Sequence, residues 1–136
     1  MYLLDTNICI RFLNGRSASI TKKLLSLQAN QIVTCSVVKA ELFYGAAKSN
    51  QPTRTKILQE KRLAPWKSFY FDDEAALVYA NIRSSLEKVG TPIGPNDLMI
   101  ASIALAHQFI LVTVNTREFS RIKDLQLENW DNPVIG

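Results

Sequence analysis

The 136-residue chain has one histidine and two cysteines, and these shortages remove several kinds of chemistry at once. Cys9 and Cys35 are too few for a disulfide framework and are not spaced as metal ligands, so they read as reduced, buried thiols. A lone His107 cannot supply a histidine-pair acid–base mechanism, a Cys–His relay or a His/Cys zinc site. It ends an apolar helical stretch, Ile100 to Ala106, where a helix C-terminus favours a cationic ring. No apolar run approaches the length of a membrane span, and the N-terminus has no basic region, apolar core and cleavage pattern of a secretory signal. These absences predict a cytoplasmic protein with no membrane association. The length predicts one domain over residues 1–136. A formal net charge of +4 fits a polyanionic partner better than a cationic one.

What is present begins at the N-terminus. Tyr2-Leu3-Leu4 has no polar alternation, which suits a strand buried on both faces of a parallel sheet. It stops at Asp5-Thr6-Asn7, whose side-chain oxygens suit a helix start, and Ile8, Ile10, Phe12 and Leu13 follow at helical spacing. In open parallel sheets the ligand crevice lies beyond the carboxyl ends of the strands, which is where Asp5 falls.

After an Asn14-Gly15 stop, Ser17 to Leu27 reads as a second helix and Ile32–Cys35 as a second strand. Ser36 is the expected cap of a third helix running to about Ser49. On it, Val37, Val38, Glu41, Leu42 and Gly45 share one face, so Glu41 lies along an apolar stripe, where a carboxylate needs a partner or a cation. Lys48, two turns on, is one such partner. Pro52 sits in a polar break, and Arg54 to Leu63 reads as a helix carrying Arg54, Lys56, Lys61 and Arg62, which with Lys67 form either a solvated face or a phosphate rail. Phe69-Tyr70-Phe71 is a third strand candidate, followed by a helix from Glu74 to about Val89 in which Asp72, Asp73 and Glu74 serve as capping and first-turn charges. A Gly/Pro loop, 90–95, delivers Asn96-Asp97 to an apolar helix ending near His107, and a first-turn position is expected to lower the Asp97 pKa. Ile110 to Thr113 is another strand, Leu125 to Trp130 a final edge strand, and Val134 to Gly136 a tail.

This alternation predicts an α/β fold, a central, mostly parallel sheet of four to five strands flanked by helices. The strand ends then bring together Asp5, Glu41, Asp97 and either Asn115 or Glu118. Several facing carboxylates cannot all stay charged without a counter-charge. A divalent cation is the simplest one, and all-oxygen ligation selects Mg²⁺ or Mn²⁺ over zinc. Such a centre supports hydrolysis of phosphodiesters.

The residues that carry this centre resemble a known family. Leu3-Leu4-Asp5-Thr6-Asn7, Ser36 to Gly45 (SVVKAELFYG), Pro95-Asn96-Asp97-Leu98-Met99-Ile100-Ala101, Thr113 to Phe119 (TVNTREF) and Leu127-Glu128-Asn129-Trp130 occur in order and at the spacing of the PIN domains, in the branch of the VapC toxins. The resemblance implies a Mg²⁺- or Mn²⁺-dependent endoribonuclease acting on a structured RNA such as tRNA, a VapB-type antitoxin as partner, and a homodimer. Carried onto this chain, Asp5, Asp97 and Glu41 are the metal ligands and Glu118 the fourth acid. Thr6, Asn7, Ser36, Thr113 and Asn115 orient the ligands or the phosphate, and Phe12, Phe43 and Tyr44 line the groove for the antitoxin tail.

Rival folds fit these residues less well. A haloacid dehalogenase-type phosphoryl transferase wants a second acid two residues after the first, where this chain has Asn7, and a receiver domain wants its Asp after a later strand. A structure-specific DNA nuclease needs extra acids and an arch insertion for which there is no room. The remaining alternative is a non-catalytic PIN-like module that binds nucleic acid or a partner.

Overall fold

A computed structural model describes residues 1–131; the tail read at Val134 to Gly136 lies outside them. Five strands, β1 (Tyr2–Leu4), β2 (Ile32–Cys35), β3 (Lys67–Phe69), β4 (Ile110–Val112) and β5 (Leu127–Glu128), form one sheet in the order β3-β2-β1-β4-β5. Every pairing is parallel. Seven α-helices alternate with them: α1 (Thr6–Leu13), α2 (Ala18–Leu25), α3 (Ser36–Ala47), α4 (Pro52–Leu63), α5 (Asp73–Lys88), α6 (Pro95–His107) and α7 (Thr116–Phe119). Among the described residues no helix is long and apolar enough to cross a membrane.

The strands that read as apolar runs are the buried centre. Leu3, Leu4, Val33, Cys35, Leu111 and Val112 are fully covered, as expected for strands screened on both faces. From β1 the chain steps outward through β2 to β3 and then returns to place β4 on the other side of β1. This reversal opens the crevice beyond β1 and β4, the place where doubly wound sheets take ligands. The Asp5 N–H donates to the Val112 carbonyl at 2.8 Å and closes the sheet immediately below that crevice.

Boundaries moved where tertiary pairing overrode local pattern. The aromatic run Phe69-Tyr70-Phe71 is not the third strand: β3 begins at Lys67 because Lys67, Ser68 and Phe69 are in register with Val33, Thr34 and Cys35. An edge strand tolerates an exposed lysine, while Phe71 leaves the sheet to meet Tyr79 edge-on, ring centroids 5.7 Å apart. Ser36 is the first residue of α3 and does not cap it; the cap position is Cys35. Pro52 opens α4 rather than preceding it, since its preset φ suits the first turn and its missing N–H costs nothing there. The second helix is shorter than expected, with Ser17 as its cap, and the final strand shrinks to the two residues that can pair with the short β4. Gln59 pins α4 to α3 by donating Nε2 to the Leu42 carbonyl at 3.0 Å.

Candidate metal and phosphodiester site

Asp5 has two tasks, and its two oxygens divide them. Oδ1 accepts the Thr6 N–H at 2.8 Å, capping α1, and Oδ2 accepts the Thr113 hydroxyl at 2.8 Å from the end of β4. Only 4% of Asp5 is exposed. Burial pushes its pKa up, the two hydrogen bonds pull it back, and the charges of Glu41 and Glu118 push it up again. Thr6, one residue on, donates its hydroxyl to Glu41 Oε1 at 2.6 Å and so links α1 to α3.

The two candidates for the fourth position, Asn115 and Glu118, are bonded to each other. Asn115 donates Nδ2 to Glu118 Oε2 at 2.7 Å, and its own N–H goes to Thr113 Oγ1 at 3.0 Å. Asn115 thus aims Glu118 while Thr113 hands one hydrogen to Asp5 and accepts another. Glu118 is half-buried and close enough to raise the pKa of both Asp5 and Asp97.

Asp97 occupies the first turn of α6, as expected, but its pKa moves opposite to expectation. It is pushed up to about 6, first by burial and then by the charges of Asp5, Glu118 and Glu41. Desolvation and three like charges outweigh the helix macrodipole, whose effect is modest and confined to the first turn. The ion pairs among the described residues, Arg11–Asp131, Lys56–Glu60 and Arg83–Glu87, involve none of the four acids. Glu41 is therefore not neutralised by Lys48.

These groups border a cleft of about 530 Å³ lined by Asp5, Thr6, Asn7, Glu41, Asn96 and Asp97 on its acidic side and by Ile10, Ala40, Tyr44, Gly45 and Lys48 beyond. Among the described residues, no three His, Cys, Asp or Glu side chains are drawn close enough together to hold a metal ion as they stand. A smaller cavity of about 170 Å³, beside Tyr79, Arg83 and Pro92, contains none of the four acids.

Ser36 does not join the cleft network: its hydroxyl donates to the Phe69 carbonyl at 3.3 Å and ties α3 to β3. Of the three aromatic groove candidates only Tyr44 lines the cleft; Phe12 packs near Trp66, and Phe43 is half-buried against the core. His107 is packed between Phe69 and Phe109, away from the acids. Five cleft residues were not assigned to it from sequence, Ile10, Ala40, Gly45, Lys48 and Asn96. For Gly45 and Lys48 the signal was available in the spacing, since 41, 44, 45 and 48 fall on one helix face.

A buried strand-end aspartate, a helix-borne glutamate and an aspartate at a buried helix start, gathered at the switch point of a parallel sheet, define a class of acid-centred α/β domains. Residues 2–125 match the family described as PIN domain. Ribonuclease VapC2 of Rickettsia felis is 40% identical over 132 residues, covering 96% of this chain and 98% of the relative. A tRNA(fMet)-specific endonuclease VapC of Shigella flexneri is 38% identical over 129 residues, covering 95% and 97%. The crystal structure of Rickettsia felis VapBC2 bound to a promoter DNA fragment superposes with a TM-score of 0.89 at 40% identity, covering 96% of this chain and 98% of that one. The chain belongs to the PIN-domain family, in its VapC branch.

Proposed function

We propose that this protein is a metal-dependent endoribonuclease, the toxin of a toxin–antitoxin pair, which hydrolyses RNA phosphodiester bonds with Mg²⁺, or Mn²⁺, held by Asp5, Glu41 and Asp97 in the cytoplasm. The observation that carries the proposal is the gathering of Asp5, Glu41 and Asp97 on one cleft, with Glu118 close enough to raise the pKa of Asp5 and Asp97 and with no ion pair to any of the four among the described residues. The donors are all carboxylate oxygens, the set a hard cation prefers, and Mg²⁺ usually keeps several waters and takes one or two carboxylates. An open arrangement of acids fits that habit better than a closed cage.

The chain's own residues have separable parts in this reading. Asp5, fixed by Thr6 and Thr113, is the rigid ligand; Glu41 is oriented by the Thr6 hydroxyl. Around and below pH 6 Asp97 must lose its proton to serve, which couples cation binding to proton release there. Glu118, aimed by Asn115, is placed to accept a proton or hold an outer water. Asn7 lines the mouth, where its amide suits a phosphate oxygen. A divalent ion held by Asp5, Glu41 and Asp97 would supply Lewis-acid polarisation of a phosphate and a lowered pKa for a bound water.

A structured RNA such as tRNA is the proposed substrate class, as the name of the Shigella relative indicates for that protein. A VapB-type antitoxin is the proposed partner, since the Rickettsia relative was crystallised as VapBC2. A homodimer completes the reading by resemblance to this branch. The test is cleavage of total bacterial RNA by the purified, antitoxin-free protein with Mg²⁺, beside Asp5→Ala and Asp97→Asn. Discrete fragments that need metal and vanish in both variants are expected. No cleavage by folded wild type with Mg²⁺ or Mn²⁺ would leave a binding module in place of an enzyme.

A further inference from the structure

The face of α3 that carries Glu41 does not end at the acids. Tyr44, Gly45 and Lys48 follow at i+3, i+4 and i+7, so they continue one stripe outward along the same wall of the cleft. Tyr44 is 66% exposed, and the Lys48 ammonium rests over its ring, 4.8 Å from the centroid. Lys48 is the only cation among the residues that line the cleft, and it pairs with none of the acids there. It lies about 10 Å along the helix axis from Glu41. That offset is too long for both side chains to serve one phosphate and suits the neighbouring phosphate of a strand.

Gly45 supplies an independent observation. A Cβ built at this position would meet nothing within 4 Å, and the residue has no positive φ that would call for glycine. Glycine inside a helix is destabilising relative to alanine, so neither packing nor backbone geometry of this chain accounts for it. A bare backbone between Glu41 and Lys48 admits close approach of something in the cleft.

We propose that Tyr44, Gly45 and Lys48 grip a single-stranded RNA segment next to the scissile bond: a base stacks on the Tyr44 ring, the sugar–phosphate passes over Gly45, and the adjacent phosphate meets Lys48. The inference rests on the reading of the cleft as a nuclease site and adds how the strand is held there. Lysine over an exposed ring is a weak contact, easily exchanged, whereas a stacked base and a phosphate each replace one half of it with a stronger one. The acidic inner wall would repel a strand lacking such a hold. The grip is indifferent to base identity, because every base has a π-face.

The experiment measures anisotropy of a fluorescein-labelled, mixed-sequence single-stranded RNA with Mg²⁺, in an Asp97→Asn background that blocks turnover. Tyr44→Ala is expected to weaken binding by about tenfold and Tyr44→Phe to restore it. Lys48→Gln is expected to weaken binding and to reduce the slope of log affinity against log salt by about 0.7, the share of one phosphate contact to a single strand. Gly45→Ala is the decisive variant: it should raise the melting temperature while weakening RNA binding, a combination that a folding defect cannot produce. Unchanged RNA affinity in the three variants would overturn the inference. So would unchanged affinity accompanied by a shifted association state in sedimentation, which would make the surface a protein contact. If wild type cleaves RNA and the same substitutions made in the wild-type background leave KM unchanged, the grip fails and the nuclease stands. If the variants lose RNA affinity but wild type never cleaves, the nuclease reading fails and the grip stands.

Discussion

The Thr113 hydroxyl donates to Asp5 Oδ2 at 2.8 Å and joins the ends of two neighbouring strands where the strand order reverses. Both residues are buried, so this bond is the main compensation for half of a desolvated carboxylate. Thr113→Val keeps the shape and removes the donor. The variant should lose about 1–3 kcal/mol of stability with carboxylate charged and bind Mg²⁺ about 10–100-fold more weakly. Thermal melts and Mg²⁺ titration of cleavage check the two effects, and a Mg²⁺ midpoint equal to wild type would show that Thr113 does not orient Asp5.

Asp97 makes the metal-free protein sensitive to pH. Its folded-state pKa, about 6, lies above the ordinary aspartate value of 3.8, so the folded state holds this proton more tightly than the unfolded one. Stability from this group is complete below 3.8 and is lost as pH rises through about 6. In chelator, Asp97→Asn should be more stable than wild type at pH 8 by about 1–2 kcal/mol, after a discount for solvent contact, with the gap closing near pH 4. Added Mg²⁺ should reverse the order at pH 8, because only the carboxylate gains from the cation. Denaturant melts at three pH values decide it; a gap independent of pH would contradict the assigned proton.

Asn115 and Glu118 act as a unit, joined at 2.7 Å. Asn115→Ala and Glu118→Gln should each reduce kcat, and the double variant should be little worse than the poorer single one. A coupling of about 0.5–3 kcal/mol is the range for residues sharing a hydrogen bond. Additive losses would mean that Asn115 works on the substrate independently of Glu118.

The thiols should be silent. Cys9 and Cys35 are both buried, and burial, aided by the nearby acids, pushes the Cys35 pKa up to about 11 and that of Cys9 further. A thiol-reactive chromophore should label neither in the native protein at pH 8 and both after denaturation. Rapid native labelling would require that β2 and α1 open locally.

Much of the fold was legible because the signals are local. Tyr2–Leu4 and Ile32–Cys35 are short apolar runs between turn residues, and both are strands with the limits read from the chain. Asp5 and Asp72 have the oxygen that a helix start needs, and both cap. The apolar composition of Leu98 to Ala104 required a buried helix, and α6 is one. Asp5, Glu41 and Asp97 stood out because each is a carboxylate placed where a strand end or an apolar face makes an unpartnered charge costly.

Other features depend on distances between segments far apart in the chain, and no local pattern contains those distances. Lys67 enters β3 because it meets Val33, although a run of aromatics was the stronger strand signal. Lys48 shares a helix face with Glu41, yet it is Thr6, 35 residues before Glu41, that donates to this carboxylate, while the lysine rests over Tyr44. The sign of the Asp97 shift was set in the same way. Its position in a first turn belongs to the sequence and favours the anion; the burial and the three carboxylates that reverse this come from β1, α3 and α7. The amino-acid sequence determined which acids exist and the elements that carry them. Tertiary structure decided which groups they face, because charge and desolvation act through space rather than along the chain.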